Sequence, residues 1–247
     1  MDNFGEKIVP LLRIRKVFIF ADLSSTVEKE NKLKVISMDE EGKIDNLTVR
    51  LWLETIEDIV GTNGLKTVLD YAGLQRYIGN FPPDNDHLEI SLEDLRTLHS
   101  CLIELFGNRD SLALRRRIGR EVIRRAIEKR PEVARALKLS AKPLPETRRI
   151  RFILERFLEE GRNRAGHTDE SHSQLVEEPD WFLIIQRDCI ECEGMMSDTP
   201  VCGHMVGELQ YFVEWITGHP HEVEEIECRA MGHPADVFRI WKTRMEE

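Results

Sequence analysis

Four cysteines, Cys189, Cys192, Cys202 and Cys228, crowd into the last quarter of the chain. Glu191, Glu225 and Asp236 stand among and just after them, and Gly194, Gly203 and Gly232 are placed to turn the backbone. Nothing else in the sequence restricts the fold as much, because thiols spaced this way reach one point only if the segments between them double back. Zinc takes four soft or borderline ligands in a tetrahedron, and a two-residue gap lets Cys189 and Cys192 direct both thiolates at one ion. Cys202 and Cys228 complete a four-thiolate set. A second set competes, because Cys202, Glu225, Cys228 and Asp236 also supply four ligand atoms of the right kind. Both sets cannot surround one ion. Alternation along a strand points Glu225 and Cys228 to opposite faces, so the second set requires the strand to bulge or end there. Two further readings stay open. One is a group of buried or reactive thiols without metal; the other is an iron–sulfur cluster on Cys189, Cys192, Cys202 and Cys228.

The middle of the chain is helical in pattern. Trp52, Ile56, Ile59 and Val60 recur at helical spacing until Gly61, and Gly64 to Tyr71 makes a second, short helix. The Gly61-Thr62-Asn63-Gly64 turn lacks the following Lys-Ser/Thr of a phosphate-binding loop and is read as an inter-helix turn. Ser91-Leu92-Glu93-Asp94 reads as a capping box ahead of an apolar stripe, Leu95, Leu98, Leu102, Leu105 and Phe106, that ends at Gly107. A further helix starts near Asp110 or Ser111 and runs to Arg130. Its Arg115, Arg116, Arg120 and Arg124 are expected on solvated faces, and its Gly119 allows a close approach by a helix or a ligand. After Pro131 comes a short helix, then the break at Lys142 to Pro145, then an amphipathic helix from Glu146 to Glu160. Gly161 to Ser173 reads as a loop.

Beyond that loop the pattern changes to strands. Trp181-Phe182-Leu183-Ile184-Ile185 is a continuous apolar run, expected as a fully buried strand. Cys202 opens a helix in which Val206, Leu209, Val213 and Ile216 face inward while Gly203 and Gly207 keep one side thin. Glu222 to Arg229 and Ala235 to Trp241 form an antiparallel hairpin. Near the start, residues 15–20 and 32–36 look like short strands of an arm. The expected architecture is α+β: several amphipathic helices packed on an antiparallel sheet, with a C-terminal zinc-tied strand, helix and hairpin. The arm spans residues 1–45 and a single ligand-binding domain spans 46–247.

A net charge of -10 speaks against general nucleic-acid affinity, which needs a positive face. No apolar run approaches the roughly 20 residues that span a bilayer, and the first six residues lack the basic-then-apolar pattern of a signal peptide. The chain is therefore expected to be cytoplasmic, where reducing conditions disfavour disulfides and leave the thiols free for metal.

The run Thr199-Pro200-Val201-Cys202-Gly203-His204-Met205-Val206-Gly207-Glu208-Leu209 and the run Glu225-Ile226-Glu227-Cys228-Arg229-Ala230-Met231-Gly232 resemble the 4-vinyl reductase domain family over residues 180–241. Its relatives include the sensing domains of aromatic-responsive bacterial activators, haem nitric-oxide-binding domains and vesicle-tethering subunits. In the sensing domains zinc is held at positions matching Cys202, Glu225, Cys228 and a final cysteine, and this chain departs at that last place, where Asp236 stands. The resemblance implies a zinc-stabilised sensory module that encloses a small hydrophobic ligand, aromatic or tetrapyrrole-like. It implies signalling through a downstream protein and a homodimer as well. His99, Trp181, His204, Tyr211 and Trp215 are the candidate contacts of such a pocket. The family's name suggests an alternative, an enzyme or accessory in 8-vinyl reduction of chlorophyll precursors. Hydride transfer needs a bound cofactor, however, and no Gly-x-Gly-x-x-Gly fingerprint follows a strand here, so no catalytic residue is singled out.

Overall fold

A computed structural model describes residues 42–165 and 172–246. The arm strands expected at 15–20 and 32–36, and the middle of the expected loop after Gly161, lie outside the described residues. Within them, a short strand β1 (Lys43–Asp45) pairs antiparallel with β2 (Leu88–Ser91). Asp45 ends β1 and caps α1 (Asn46–Tyr71), its Oδ1 accepting from the Thr48 N–H at 2.8 Å. Gly61 sits inside α1 with φ 77° and ψ 163°, so two helical segments meet there, as its position after Val60 suggests. Helix α2 (Leu92–Lys129) is likewise two segments that meet at Gly107, φ 74°. Helical backbone resumes immediately after that glycine, earlier than Asp110. Only half of the expected capping box forms: Ser91 Oγ accepts from the Glu93 N–H at 3.2 Å, while the Asp94 carboxylate is taken by Arg76 and Tyr77.

Helices α3 (Pro131–Ala141) and α4 (Glu146–Ala165) lead to the main sheet. Its strands are β3 (Ser173–Glu177), β4 (Trp181–Gln186), β5 (His221–Glu227) and β6 (Asp236–Arg244), antiparallel in the order β3-β4-β6-β5. Between β4 and β5 lies α5 (Gly203–Thr217), stopped by Gly218 in the left-handed conformation. Strand β3 is an addition to the elements expected. Strand β4 corrects the expectation of a fully buried strand: Phe182 and Ile184 are fully buried, whereas Trp181 and Leu183 are half-buried. An antiparallel sheet covered by helices on one face needs only alternate side chains to be apolar and buried.

One core fills the space between the sheet and α4 and α5, joining Phe182, Ile184, Phe238 and Ile240 to Ile153, Leu154, Leu209 and Val213. A second lies between α1 and α2, around Trp52, Ile56, Leu69, Leu98 and Leu102. The two meet where α2 crosses α5 at backbone contact. A Cβ on Gly119 would stand 2.1 Å from the His204 carbonyl oxygen, and one on Gly207 2.0 Å from that of Arg116. The thin helix side read from Gly203 and Gly207 is thus the seat of α2, with Gly119 facing it. This crossing fixes the start of α5, and the start of α5 carries the site. No helix among the described residues is long and apolar enough to cross a membrane.

Candidate metal centre and the polar group beside it

All six residues proposed as metal ligands gather at one place. Cys189 and Cys192 lie in the turn after β4, Cys202 immediately precedes α5, Glu225 lies near the end of β5, Cys228 follows it and Asp236 opens β6. Every one is buried. The ligand atoms of Cys189, Cys192, Cys202 and Asp236 lie within 4.8 Å of one another, and so do those of Cys202, Glu225, Cys228 and Asp236. The bulge that the second set requires is present, because pairing with β6 slips between Glu225 and Glu227, so that Glu225 and Cys228 are both buried.

The distances suit a tetrahedral ion, whose sulfur ligands at about 2.3 Å stand roughly 3.8 Å apart. Cys189 Sγ lies 3.5 Å from Cys202 Sγ, Cys192 Sγ lies 3.3 Å from each Asp236 oxygen, and Cys202 Sγ lies 3.9 Å from Asp236 Oδ1. None of the chain's cysteines is in a disulfide. Backbone donors orient the carboxylates. Asp236 Oδ1 accepts from the Arg229 N–H at 2.8 Å and Glu225 Oε2 from the Cys202 N–H at 2.8 Å. Glu225 Oε1 is buried with no hydrogen-bond partner among the described residues, an electron pair aimed into the cluster.

Without a cation these acids hold their protons. Burial is the largest cause that lifts Glu225 to about 8 and Asp236 to about 6, and contact with Cys228 adds to the rise at Glu225. The cysteines share protons unequally, so hydrogen bonds from Cys192 and Cys202 hold Cys189 down while Cys202 is pushed well up by its thiol neighbours. A divalent ion replaces such protons, which couples its affinity to pH and to folding.

Glu191, between the two cysteines of the turn, faces the other way. Its carboxylate accepts from the N–H groups of Met205 at 2.7 Å and His204 at 3.0 Å and so caps the start of α5. Burial lifts it to about 8, against the pull of Arg115 and of those two N–H groups. Arg115 corrects the reading of the arginine-rich helix as solvated throughout, because it is fully buried. Its Nε donates to Ser111 O at 3.2 Å, its Nη1 donates to Val201 O and stands 3.8 Å from Glu191. Arg120 and Arg124 do lie on solvated faces, paired with Glu214, Glu121 and Glu128.

Beyond Glu191 three rings meet, one from each of three helices. Trp52 of α1 lies with its ring centroid 4.4 Å from that of His99 of α2 and 4.2 Å from that of His204 of α5, and the two histidines are 5.9 Å apart. His99 Nδ1 stands 3.8 Å from Glu191. All three rings are buried, and Trp52 Nε1, both nitrogens of His99 and His204 Nε2 make no hydrogen bond among the described residues. Burial keeps both histidines neutral, with His204 lowered to about 3 and Arg115 adding to the effect. Of the five residues expected to line a pocket, the structure brings His99 and His204 together. Trp181 stacks edge-on against Trp241 on the half-buried side of the sheet, with its ring under Arg239. Tyr211 and Trp215 lie under Arg120 and Lys138. Trp52, Arg115 and Glu191 were not among the residues expected here, since in sequence the first is one apolar residue of a helical stripe and the second one arginine in a row.

Residues 183–242 match the family model of the vinyl-4-reductase domain, the same stretch that carries the resemblance to 4-vinyl reductase domains. Among solved structures the chain is similar to a Cs H-NOX mutant with 4-cyano-L-phenylalanine at site 5, with a TM-score of 0.51 at 16% identity over 82% of this chain and 99% of that one. This likeness shows a shared fold. An oxygen-binding H-NOX domain related to soluble guanylate cyclases, solved as its oxygen complex, has a TM-score of 0.46 at 16% identity, over 82% of this chain and 97% of that one. The phenol-responsive sensory domain of the transcription activator PoxR, solved with phenol, has a TM-score of 0.43 at 16% identity, over 65% of this chain and 79% of that one. None of the curated proteins compared with the chain matches it.

Proposed function

We propose that the chain is a zinc-stabilised sensory module for a small, mostly apolar molecule with one hydrogen-bonding group. Aromatic and tetrapyrrole-like compounds belong to that class. The observation that carries this reading is the Trp52, His99 and His204 group, buried between three apolar helices with its nitrogens unpartnered among the described residues. Folded proteins pair nearly all their buried polar atoms, and each one left unpaired costs about 1–3 kcal/mol. A ligand that brings a hydroxyl or carbonyl recovers that cost while its apolar body fills the helix interface. The mixed thiolate and carboxylate donors favour zinc over an iron–sulfur cluster, because Asp236 belongs to both donor sets and such clusters are held by thiolates.

In a cytoplasmic setting the thiols stay reduced and the ion serves as a staple. It joins the turn after β4, the start of α5 and the β5–β6 hairpin. Ligand contact at His204 then bears on the same helix start that Cys202 anchors, and the change passes to a partner protein or across a homodimer. Native mass spectrometry of the freshly isolated chain tests the reading by the mass of a retained molecule, followed by titration with phenol and with haem under tryptophan fluorescence. Binding of one of them, lost in His99→Phe, is the expected result. A protein that is isolated empty and binds neither probe contradicts it.

A further inference from the structure

Six buried donors are more than one tetrahedral ion can use. They form two sets of four that share Cys202 and Asp236. A single ion held by either set leaves two buried donors behind, Glu225 and Cys228 in one case, Cys189 and Cys192 in the other. Buried polar groups without a compensating partner are costly. We propose that the centre is dinuclear. One divalent ion is held by Cys189, Cys192, Cys202 and Asp236, and a second by Cys202, Glu225, Cys228 and Asp236, with the Cys202 thiolate and the Asp236 carboxylate bridging. The proposal rests on the metal reading above.

The geometry of the shared residues fits bridging roles. Cys202 Sγ is the atom common to both sets and lies 3.5 Å from Cys189 Sγ and 3.9 Å from Asp236 Oδ1. Asp236 presents both oxygens to the cluster, each 3.3 Å from Cys192 Sγ, so it can give one oxygen to each ion. Glu225 is suited to be a terminal ligand, since its Oε2 holds the Cys202 N–H and its Oε1 is the unpartnered atom. Metal pairs bridged in this way stand about 3.5–4 Å apart, which donor sets no wider than 4.8 Å allow. Charge agrees. Four thiolates and two carboxylates exceed what one divalent cation neutralises, and a second cation, with Arg115 buried alongside Cys189, Cys202 and Glu225, brings the cluster nearer to balance. The donors are borderline in softness and tetrahedral in arrangement, which selects zinc-like ions over magnesium or calcium.

The test is the metal stoichiometry of the full chain, isolated without added metal, dialysed against a weak chelator and weighed by native mass spectrometry. Two ions per chain are expected. One ion overturns the dinuclear centre and leaves the single-ion reading standing, whereas none overturns both. Exchange into cadmium-113 gives an independent readout on the folded protein, two resonances against one. The Cys189→Ser, Cys192→Ser double variant and the Glu225→Gln variant should each drop from two ions to one, and the glutamine keeps an oxygen for the Cys202 N–H. Either variant retaining two ions also overturns the assignment.

Discussion

The cysteine and carboxylate cluster and the Trp52, His99 and His204 group both abut Glu191, yet they are opposite in chemistry. The cluster gathers thiols and carboxylates, all acceptors or acids, around one point. The ring group gathers nitrogens that lack acceptors among the described residues. Each is costly on its own, and each names what relieves it, a cation in the first case and a polar atom of a ligand in the second. Glu191 belongs to neither, and with its two backbone bonds to the start of α5 it holds them apart while touching both.

Breaking the cluster should have the largest effect. Cys202→Ser removes the thiolate common to both donor sets and should cost at least about 4 kcal/mol, roughly 10 °C in melting temperature for a chain of this size. A loss no larger than that of an exposed serine substitution would put the cluster outside the stabilising framework. Next comes Arg115→Met, which leaves Glu191 buried without its nearest cation. Removing one partner of a buried charge pair costs about 3–5 kcal/mol, readable as a shift in urea midpoint. Gly207→Ala should cost about 1–3 kcal/mol by overpacking against the Arg116 carbonyl, although alanine is the better helix former. A gain in stability there would mean that the α2–α5 crossing is looser than its backbone contact indicates.

How much of this contrast the sequence reveals depends on the kind of signal. The cluster is legible because cysteine spacing is a chemical signal that survives without knowing the fold. The helix stops at Gly61 and Gly107 are legible because glycine marks backbone that other residues avoid, φ 77° and φ 74°. The ring group is half legible. His99 and His204 can be picked as polar residues on apolar helices, but Trp52 comes from a separate helix, and only the packing of three helices brings the rings together. Arg115 is hidden for a different reason, since its neighbours in sequence, Arg116 and Arg117, have the same composition and only the crossing with α5 decides which one is buried. Strand β4 misleads because its half-buried face is also apolar.

A pH series sharpens the comparison. In metal-free protein Glu191 and Glu225 are raised to about 8 mainly by burial, so the folded state keeps protons that the unfolded chain loses near 4.5. Their contribution is complete below 4.5 and is lost as pH rises through 8, by roughly 1.4 kcal/mol per pH unit for each group. The histidines act in the opposite sense, since their lowered values make stability present above 6.5 and lost as pH falls below it. Between pH 6.5 and 8 only the carboxylates act, and the midpoint of urea unfolding should fall across that window. Bound metal replaces the Glu225 proton, so the loaded protein should show a shallower fall. The smallest effect on stability belongs to His99→Phe, within about 1 kcal/mol, because replacing unpaired polar atoms by an apolar ring of similar size is nearly neutral. Loss of probe binding without loss of stability would separate the ring group from the cluster.

Thermal unfolding of the full chain with and without a strong chelator tests the central claim most directly. A cation clamp across the turn after β4, the start of α5 and the β5–β6 hairpin predicts a drop of roughly 10 °C on chelation, restored by one added divalent metal and not by magnesium. Identical melting curves in all conditions would contradict it.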